Sequence, residues 1–362
     1  MTKVLYVSSN HPVLEYDDLT VFNELGVDWF STGIYIDPQH PLPLCKRRAM
    51  NIPQNEELAE AFYADNPNFN FDPHLAAPPN VNLTDSFLDR FDIVIVNNFF
   101  HFLQNNWKTL RNRKTFFRSY YYSNPAQELK LSGMKASSDL KLIRMFPQEL
   151  GIPNTAGADY VIQNYVDPEE YKGWTGEEEK VLTFQNDMLV RLHHRDQLGL
   201  VVFDSYHAYL NVVKSMGTEL FDLYGYNNRI KLSKGVVSWD EQKSLYQKSR
   251  CFFSLGSKPG PYTYTFLEAM ATGMPTINFG HGFGDYKHPW YKGSYIVPEI
   301  VTHGENGFVS DDLNEIADII RQLMSNKSLA KSVSENARQT VVNRFSKDIS
   351  KDLWKGFFEK EL

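Results

Sequence analysis

One stretch of this chain joins side chains and backbone that could hold a phosphate: Ser254-Leu-Gly-Ser-Lys-Pro-Gly-Pro-Tyr-Thr-Tyr-Thr-Phe-Leu-Glu-Ala-Met-Ala-Thr-Gly-Met-Pro-Thr-Ile-Asn-Phe279. Pro259, Gly260 and Pro261 forbid regular structure, so the chain must turn there. Thr263 or Thr265 can then cap a helix whose apolar residues are Phe266, Leu267, Met270 and Ala271, with Gly273 and Pro275 stopping it. A helix start leaves backbone N–H groups unpaired, here those of Tyr262, Thr263, Tyr264 and Thr265, at the positive end of the helix dipole. That is a site for an anion. Glu268 falls one turn after Tyr264, which puts it on the face of the loop's mouth, where a carboxylate could accept two hydrogen bonds from a ribose diol. Phosphate cradle and diol acceptor together suggest a nucleoside diphosphate. The same residues also suit a loop-capped helix of any α/β protein with Glu268 solvated, and the spacing alone does not choose.

The run Leu267-Glu-Ala-Met-Ala-Thr-Gly-Met-Pro-Thr-Ile277 behind its Gly/Pro loop resembles the donor-site signature of retaining GT-B glycosyltransferases of the glycogen-synthase-like group. Val297-Pro-Glu-Ile-Val and Gly304-Glu-Asn-Gly-Phe-Val downstream are similar to that family as well. The resemblance implies an α/β fold of two Rossmann-like doubly wound domains facing a cleft, with a C-terminal helix crossing back. It also implies a nucleotide-sugar donor, UDP-linked, and transfer with retention. It gives Glu268 the donor ribose. A second glutamate beside the sugar usually stands eight positions earlier, and here that position is Gly260, so a donor other than the common glucose type, a pentose among them, is expected. Where the family carries Gly-Arg and a lysine for the diphosphate, this chain offers Arg191 and Arg195. The family's sugar-contacting histidine corresponds to His101, and its base-reading loop to Val236, Val237 and Ser238. No Asp-x-Asp stands at a strand end, so cations and helix dipole, without a metal or other cofactor, are expected to meet the diphosphate.

These side chains need elements to position them. Lys3 to Ser8 reads as a buried parallel strand, Leu19 to Leu25 as part of a helix closed by Gly26, and Trp29 to Ile36 as the next strand. That order begins a doubly wound domain, and it puts Asn10 and His11 at the carboxyl end of the sheet, on the ligand side. Pro38 to Pro79 reads as an insertion with one helical piece from Glu56 to Ala64. Asp92 to Val96 is a central strand followed by the loop leading to His101. A helix over Phe102 to Leu110 and a strand over Thr115 to Tyr122 follow. The first domain is expected to span residues 1–171 and the second 172–345, opened by the strand Lys180 to Phe184. A last helix, 346–362, carries an aromatic stripe of Trp354, Phe357 and Phe358 for packing back on the first domain.

At 362 residues and 42% hydrophobic the chain suits two α/β domains. No run approaches the ~20 apolar residues that span a bilayer. The start lacks a signal-peptide pattern, and Cys45 and Cys251 lie too far apart for a zinc spacing. A cytoplasmic protein is expected, in the host cytoplasm if phage-encoded, since the chain looks like glycosyltransferases of bacteriophages and bacteria. Net charge is −7, yet 105–150 holds nine basic and three acidic residues, a net of +6, interleaved with Trp107, Phe116, Phe117, Tyr120, Tyr121 and Tyr122. That balance suggests duplex DNA with a hydroxymethylated base as acceptor. The alternatives are a lipid-linked or surface glycan acceptor, a non-catalytic nucleotide-sugar binding protein, and a sugar-nucleotide epimerase of the same shape.

Overall fold

The computed structural model describes residues 2–8, 12–32, 55–67, 83–120, 124–151, 154–196, 199–258, 260–288 and 293–362. Asn10, His11, Cys45, Tyr121, Tyr122, Pro259 and most of the 38–79 insertion lie outside them. The chain divides into two compact units: residues 1–165 with 347–362, and residues 166–346. The first break thus falls six residues before Tyr171. Tyr171 belongs to the second unit, where its hydroxyl is bonded to Glu268.

Among the described residues the first unit is a six-stranded sheet, all pairings parallel, in the order β2-β1-β3-β4-β5-β6. Its strands are β1 (Lys3–Val7), β2 (Asp28–Ser31), β3 (Ile93–Asn97), β4 (Thr115–Arg118), β5 (Lys141–Arg144) and β6 (Tyr160–Val161). Its helices are α1 (Pro12–Glu24), α2 (Glu56–Asp65), α3 (Asp85–Leu88), α4 (Phe100–Asn105), α5 (Trp107–Leu110) and α6 (Pro125–Ala136). The expected helix from Phe102 to Leu110 is two short helices parted at Asn106, whose side chain donates back to the Phe102 carbonyl. Because side chains alternate along a strand, β1 feeds two cores. Leu5 and Val7 join Phe30, Phe62, Phe87 and Phe117, while Val4 and Tyr6 join Leu19, Phe22 and Ile95. The second of these cores contains Trp354, Phe357 and Phe358 of the last helix, α15 (Lys347–Glu361), numbered after the helices of the second unit. Trp354 is fully buried and its Nε1 donates to Asp18 Oδ1 (3.1 Å).

β4 ends at Arg118, short of the expected Tyr122. Arg118 is fully buried, with Nε 3.0 Å from Asp18 Oδ2 and Nη2 donating to Asn164 Oδ1 (3.2 Å). Tyr6 donates to Asp18 Oδ2 (2.5 Å), and Tyr120 to Asn97 Oδ1 (3.1 Å). Burial raises the Asp18 carboxyl above the usual carboxylate range, although Arg118 opposes it.

The basic balance of 105–150 is largely spent inside this unit. Arg113 is paired with Asp85 and Asp89, Arg118 with Asp18, Lys135 with Asp159, Lys141 with Glu361, and Arg144 with Glu128 and Glu149. Lys114 donates to the Glu361 carbonyl. The interleaved Phe116, Phe117 and Tyr120 are buried. The expected nucleic-acid face is therefore in large part ion pairing and core, with Glu128 and Glu149 from within the stretch and the other carboxylates from outside it.

The second unit has five strands, β7 (Glu178–Phe184), β8 (Phe221–Tyr224), β9 (Ser249–Ser254), β10 (Thr276–Asn278) and β11 (Phe308–Val309), in the order β11-β10-β9-β7-β8. Its helices are α7 (Met188–Leu192), α8 (Asp204–Met216), α9 (Trp239–Lys248), α10 (Tyr264–Thr272), α11 (His281–Gly284), α12 (Val297–Ile300), α13 (Leu313–Ser325) and α14 (Lys327–Phe345). The pairings between these strands are all parallel. Val181, Tyr209, Phe253, Ile277 and Ile320 sit in its core. Among the described residues no helix is long and apolar enough to cross a membrane.

Candidate functional site

In an open parallel sheet a ligand crevice lies at the carboxyl ends of the strands, where the connections diverge to opposite sides. In the second unit that point is between β7 and β9. The chain leaves β7 toward β8 at one edge and leaves β9 toward β10 and β11 on the other. The two loops flanking it are 185–187 and 255–263; the second holds Gly260, Tyr262 and Thr263, and the helices they lead into carry Arg191 and Glu268.

The second loop feeds α10. Thr263 is the N-cap, its hydroxyl accepting from the Phe266 N–H (3.3 Å), and Gly273 ends the helix at φ 91°. A Cβ at Gly273 would stand 2.8 Å from Ser334 Oγ, so glycine is needed for both conformation and close packing. Thr263, Tyr264 and Thr265 are half-buried, and Tyr262 is buried with its ring edge-on to Phe345. Burial pushes the Tyr262 phenol well up. Gly260 is buried, and a Cβ there would meet the Ser257 carbonyl at 3.1 Å, so a larger residue would require the loop to shift.

Glu268 is not an open carboxylate at the loop's mouth. It is fully buried, accepting from Tyr171 Oη (2.7 Å) on Oε1 and from Gln242 Nε2 and Tyr246 Oη (3.0 Å each) on Oε2. Trp239 Nε1 donates to Tyr171 Oη (3.1 Å) and so extends the cluster to the start of α9. The physical reason is that a carboxylate in the second turn of a buried helix must be met by donors, and α9 supplies them. Burial and the Glu268 charge push the Tyr246 phenol well up.

The loop after β7 is laced to the loop after β8. Asn186 Oδ1 accepts from the Tyr226 N–H (2.8 Å), and Asn227 Nδ2 donates to Asp187 Oδ1 (2.8 Å). A Cβ on Gly225 would fall 1.9 Å from the Gln185 carbonyl oxygen, so this approach requires glycine. Asp187 caps α7 in the left-handed region at φ 55°. At the end of α7, Arg191 lies over the Phe203 ring (5.0 Å) and donates to Tyr206 Oη (3.3 Å), beside the start of α8. Tyr206 is buried, and its phenol is pushed up to about 12. Arg195 is exposed and gives its Nη1 to the Gly199 carbonyl (3.1 Å) across a small hairpin. Of the two arginines, only Arg191 is fixed beside a helix start.

That same start holds residues the sequence reading passed over. Asp204, the first residue of α8, receives Lys258 of the β9–α10 loop on Oδ1 (2.5 Å) and lies 2.6 Å from Lys287 through Oδ2. Lys258 is buried, and loss of solvent lowers its ammonium despite the Asp204 carboxylate. The loop is thus pinned at Lys258, at Gly256 against Tyr295, and at the Pro261 carbonyl by the Ile296 N–H. The signal available in sequence was a lysine inside a Gly/Pro loop, but its partner stands 54 residues away.

Ser238 is the N-cap of α9 in a capping box. Its hydroxyl accepts from the Glu241 N–H, and its own N–H donates to Glu241 Oε2 (2.7 Å). The expected backbone reading of a base by Ser238 is therefore pre-empted, while Val236 is half-exposed and Val237 half-buried beside it. In the first unit His101 is exposed on α4, one residue into the helix after β3, with its ring 6.4 Å from Phe100. Cys251 is buried and has no disulfide partner among the described residues, and burial pushes its thiol up to about 12.

Comparison with known proteins agrees with this geometry. Residues 214–340, which include β9, α10 and β10, match the family described as Glycosyl transferases group 1. Sucrose-phosphate synthase from Thermosynechococcus elongatus is similar in structure over 99% of both chains, at TM-score 0.62 and 14% identity. Anabaena HepE in complex with UDP-glucose is similar over 99% of this chain and 100% of its own, at TM-score 0.64 and 12% identity. A glycosyltransferase from Rickettsia africae covers 99% of this chain and 98% of its own, at TM-score 0.59 and 15% identity. Among curated protein sequences no significant match is found. Two parallel-sheet units give the chain the GT-B fold of these neighbours, and residues 214–340, with the switch-point loop before α10, form the segment that matches Glycosyl transferases group 1.

Proposed function

We propose that this enzyme transfers a sugar from a UDP-linked donor to a hydroxyl acceptor, with retention at the anomeric carbon and without a divalent metal. The observation that carries the reading is the start of α10 at the switch point between β7 and β9, with Thr263–Thr265 half-open and Arg191 on the neighbouring loop. In this reading the α10 N–H groups and Arg191 hold the leaving diphosphate, where developing charge rewards preorganised donors. Lys258 keeps the loop in register through Asp204. Glu268 sets the height of α10 against α9, and any bond to a ribose would draw on the lone pairs its three donors leave. Gly260 leaves the sugar side without a carboxylate, which favours a donor other than glucose. The test is incubation with UDP-hexoses and UDP-pentoses in EDTA, with the product's anomeric coupling read by proton NMR. Turnover that survives EDTA with a retained anomer is expected. Dependence on added metal, or an inverted anomer, overturns the corresponding part.

For the acceptor we propose a glycan or lipid-linked hydroxyl. Duplex DNA would need a basic face, and the described part of 105–150 commits six of its nine cations to carboxylates or a helix-end carbonyl. A glycan asks for no such face. Titration with duplex DNA across a salt series, together with transfer to hydroxymethylcytosine DNA, is the check. Steeply salt-dependent binding accompanied by transfer would return the assignment to DNA.

A further inference from the structure

At the opposite edge of the second unit's sheet, where β7 and β9 begin, a cavity of 390 Å³ is lined by Trp174, Arg250, Lys327, Lys331, Ser334 and Glu335 among others. Its floor is a guanidinium with business left over. Arg250 is 1% exposed. Its Nε donates to the Gly176 carbonyl (2.6 Å), and its Nη1 to the carbonyls of Leu323 and Met324 (3.0 and 2.9 Å) at the end of α13. Its Nη2 is buried with no hydrogen-bond partner among the described residues. A buried cationic donor left unmet is costly, and the open volume beside this one is where a partner can come.

The rim repeats the same charge. Lys327 is the first residue of the 19-residue α14, the first turn contains no acid, and Lys331 follows one turn later on the same face. Cations at a helix start oppose the helix dipole, so this placement works against the helix it belongs to. A sequence that breaks a local rule in this way commonly does so for a ligand. Glu335 offsets little of it, being exposed and 4.0 Å from Lys331. Asn326 caps the Leu329 N–H and leaves other N–H groups of the first turn for a guest.

We propose that this cavity binds a phosphate-class oxyanion, with Arg250 beneath it and Lys327, Lys331 and the α14 N-terminus around it. Inorganic phosphate and a small phosphomonoester share that chemistry. The volume is larger than one phosphate needs, and Trp174 gives a wall for an organic remainder. The site uses neither loop of the donor reading and stands or falls apart from it.

The experiment is calorimetric titration of the full chain with inorganic phosphate and with glycerol 3-phosphate, in chloride buffer at constant ionic strength. Saturating UDP is present to fill the donor site, and a parallel series omits it. One saturable equivalent is expected in the wild type. Lys327→Gln/Lys331→Gln, with both changes on a solvated helix face, should weaken it by about tenfold or more as two charge-assisted contacts are lost, while UDP binding is unchanged. Arg250→Lys should weaken it as well, with folding checked by thermal denaturation. Tighter binding of glycerol 3-phosphate supports an ester as ligand, and equal binding supports free phosphate. No saturable heat in the millimolar range, or equal binding by wild type and the double variant, overturns the proposal.

Discussion

Glu268 is held by donors from Tyr171, Gln242 and Tyr246, so its first effect is on stability. Glu268→Gln replaces one acceptor oxygen by an amide NH2 donor that faces hydroxyls and an amide already oriented to donate. Loss of these buried charge-assisted bonds should cost about 1–3 kcal/mol. For a unit of this size that lowers the thermal midpoint by roughly 2–4 °C per kcal/mol. Denaturation and UDP affinity measured on the same protein decide the matter. An unchanged midpoint with weakened UDP binding would make Glu268 a ribose contact after all. The two arginines separate in the same way. Arg191→Ala removes a guanidinium fixed over Phe203 and should lower kcat by about a hundredfold. Arg195→Ala removes an exposed cation bonded to Gly199 and should leave turnover near wild type. Equal, small effects would leave both as surface arginines. At this scale the sequence was informative about type and place: a capped helix at Thr263, a stop at Gly273, a cation near 191. It was silent about direction, because whether Glu268 faces solvent or α9 depends on Gln242 and Tyr246, side chains brought to it only by the packed sheet.

Among the elements, α6 and β5 are tied by a triad that makes the first unit sensitive to pH. Arg144 binds Glu128 through both terminal nitrogens (2.9 and 2.8 Å) and reaches Glu149 only at 3.4 Å. Two buried carboxylates share one guanidinium, and the second is left short of charge. Burial accordingly pushes Glu149 up to about 7, with Arg144 and the Ser119 hydroxyl acting against it. A carboxyl whose folded pKa lies above its unfolded value of 4.5 contributes stability that is full below that value and is lost as pH rises through about 7. Between pH 5 and 8 the wild type should therefore lose thermal midpoint through this group. Glu149→Gln, which imitates the protonated form, should flatten that slope and exceed the wild type at pH 8. Parallel slopes for the two proteins would mean that Glu149 is ionised throughout. The strands around this triad were legible as apolar runs of the right length. The triad was not, since Glu128, Arg144 and Glu149 each read as one more charge in a basic stretch until α6 and β5 are folded together. The charge count behind the DNA expectation has the same limit, because counting along 105–150 cannot see Asp18, Asp85, Asp159 or Glu361 arriving from elsewhere.

The chain as a whole is interrupted: residues 166–346 close on themselves, and the last sixteen residues belong with the first unit. The doubly wound order was readable in both halves because each parallel strand is a short apolar run followed by a loop and a helix. The consequence for folding is asymmetric. The second unit contains both ends of its own sheet, from β11 to β8, and a core running from Val181 to Val333 without residues of the first unit. The first unit cannot be completed by residues 1–165, because α15 supplies Trp354, Phe357 and Phe358 to its core and donates to Asp18 through Trp354 Nε1. Glu361 also receives Lys141, and its carbonyl receives Lys114. Removing three buried aromatics costs about 3–5 kcal/mol each when truncated singly, comparable in sum to the whole stability of a domain. A fragment of residues 166–346 should therefore unfold cooperatively on heating and bind UDP, since the loops after β7 and β9 are both inside it. A fragment of residues 1–165 should lack a cooperative transition, and adding a peptide of residues 347–362 should restore one. Calorimetry on the two fragments reads both outcomes. A cooperative transition in 1–165 alone would show that α15 is dispensable to its unit, and a folded 166–346 with no affinity for UDP would remove the switch-point loops as a sufficient nucleotide site.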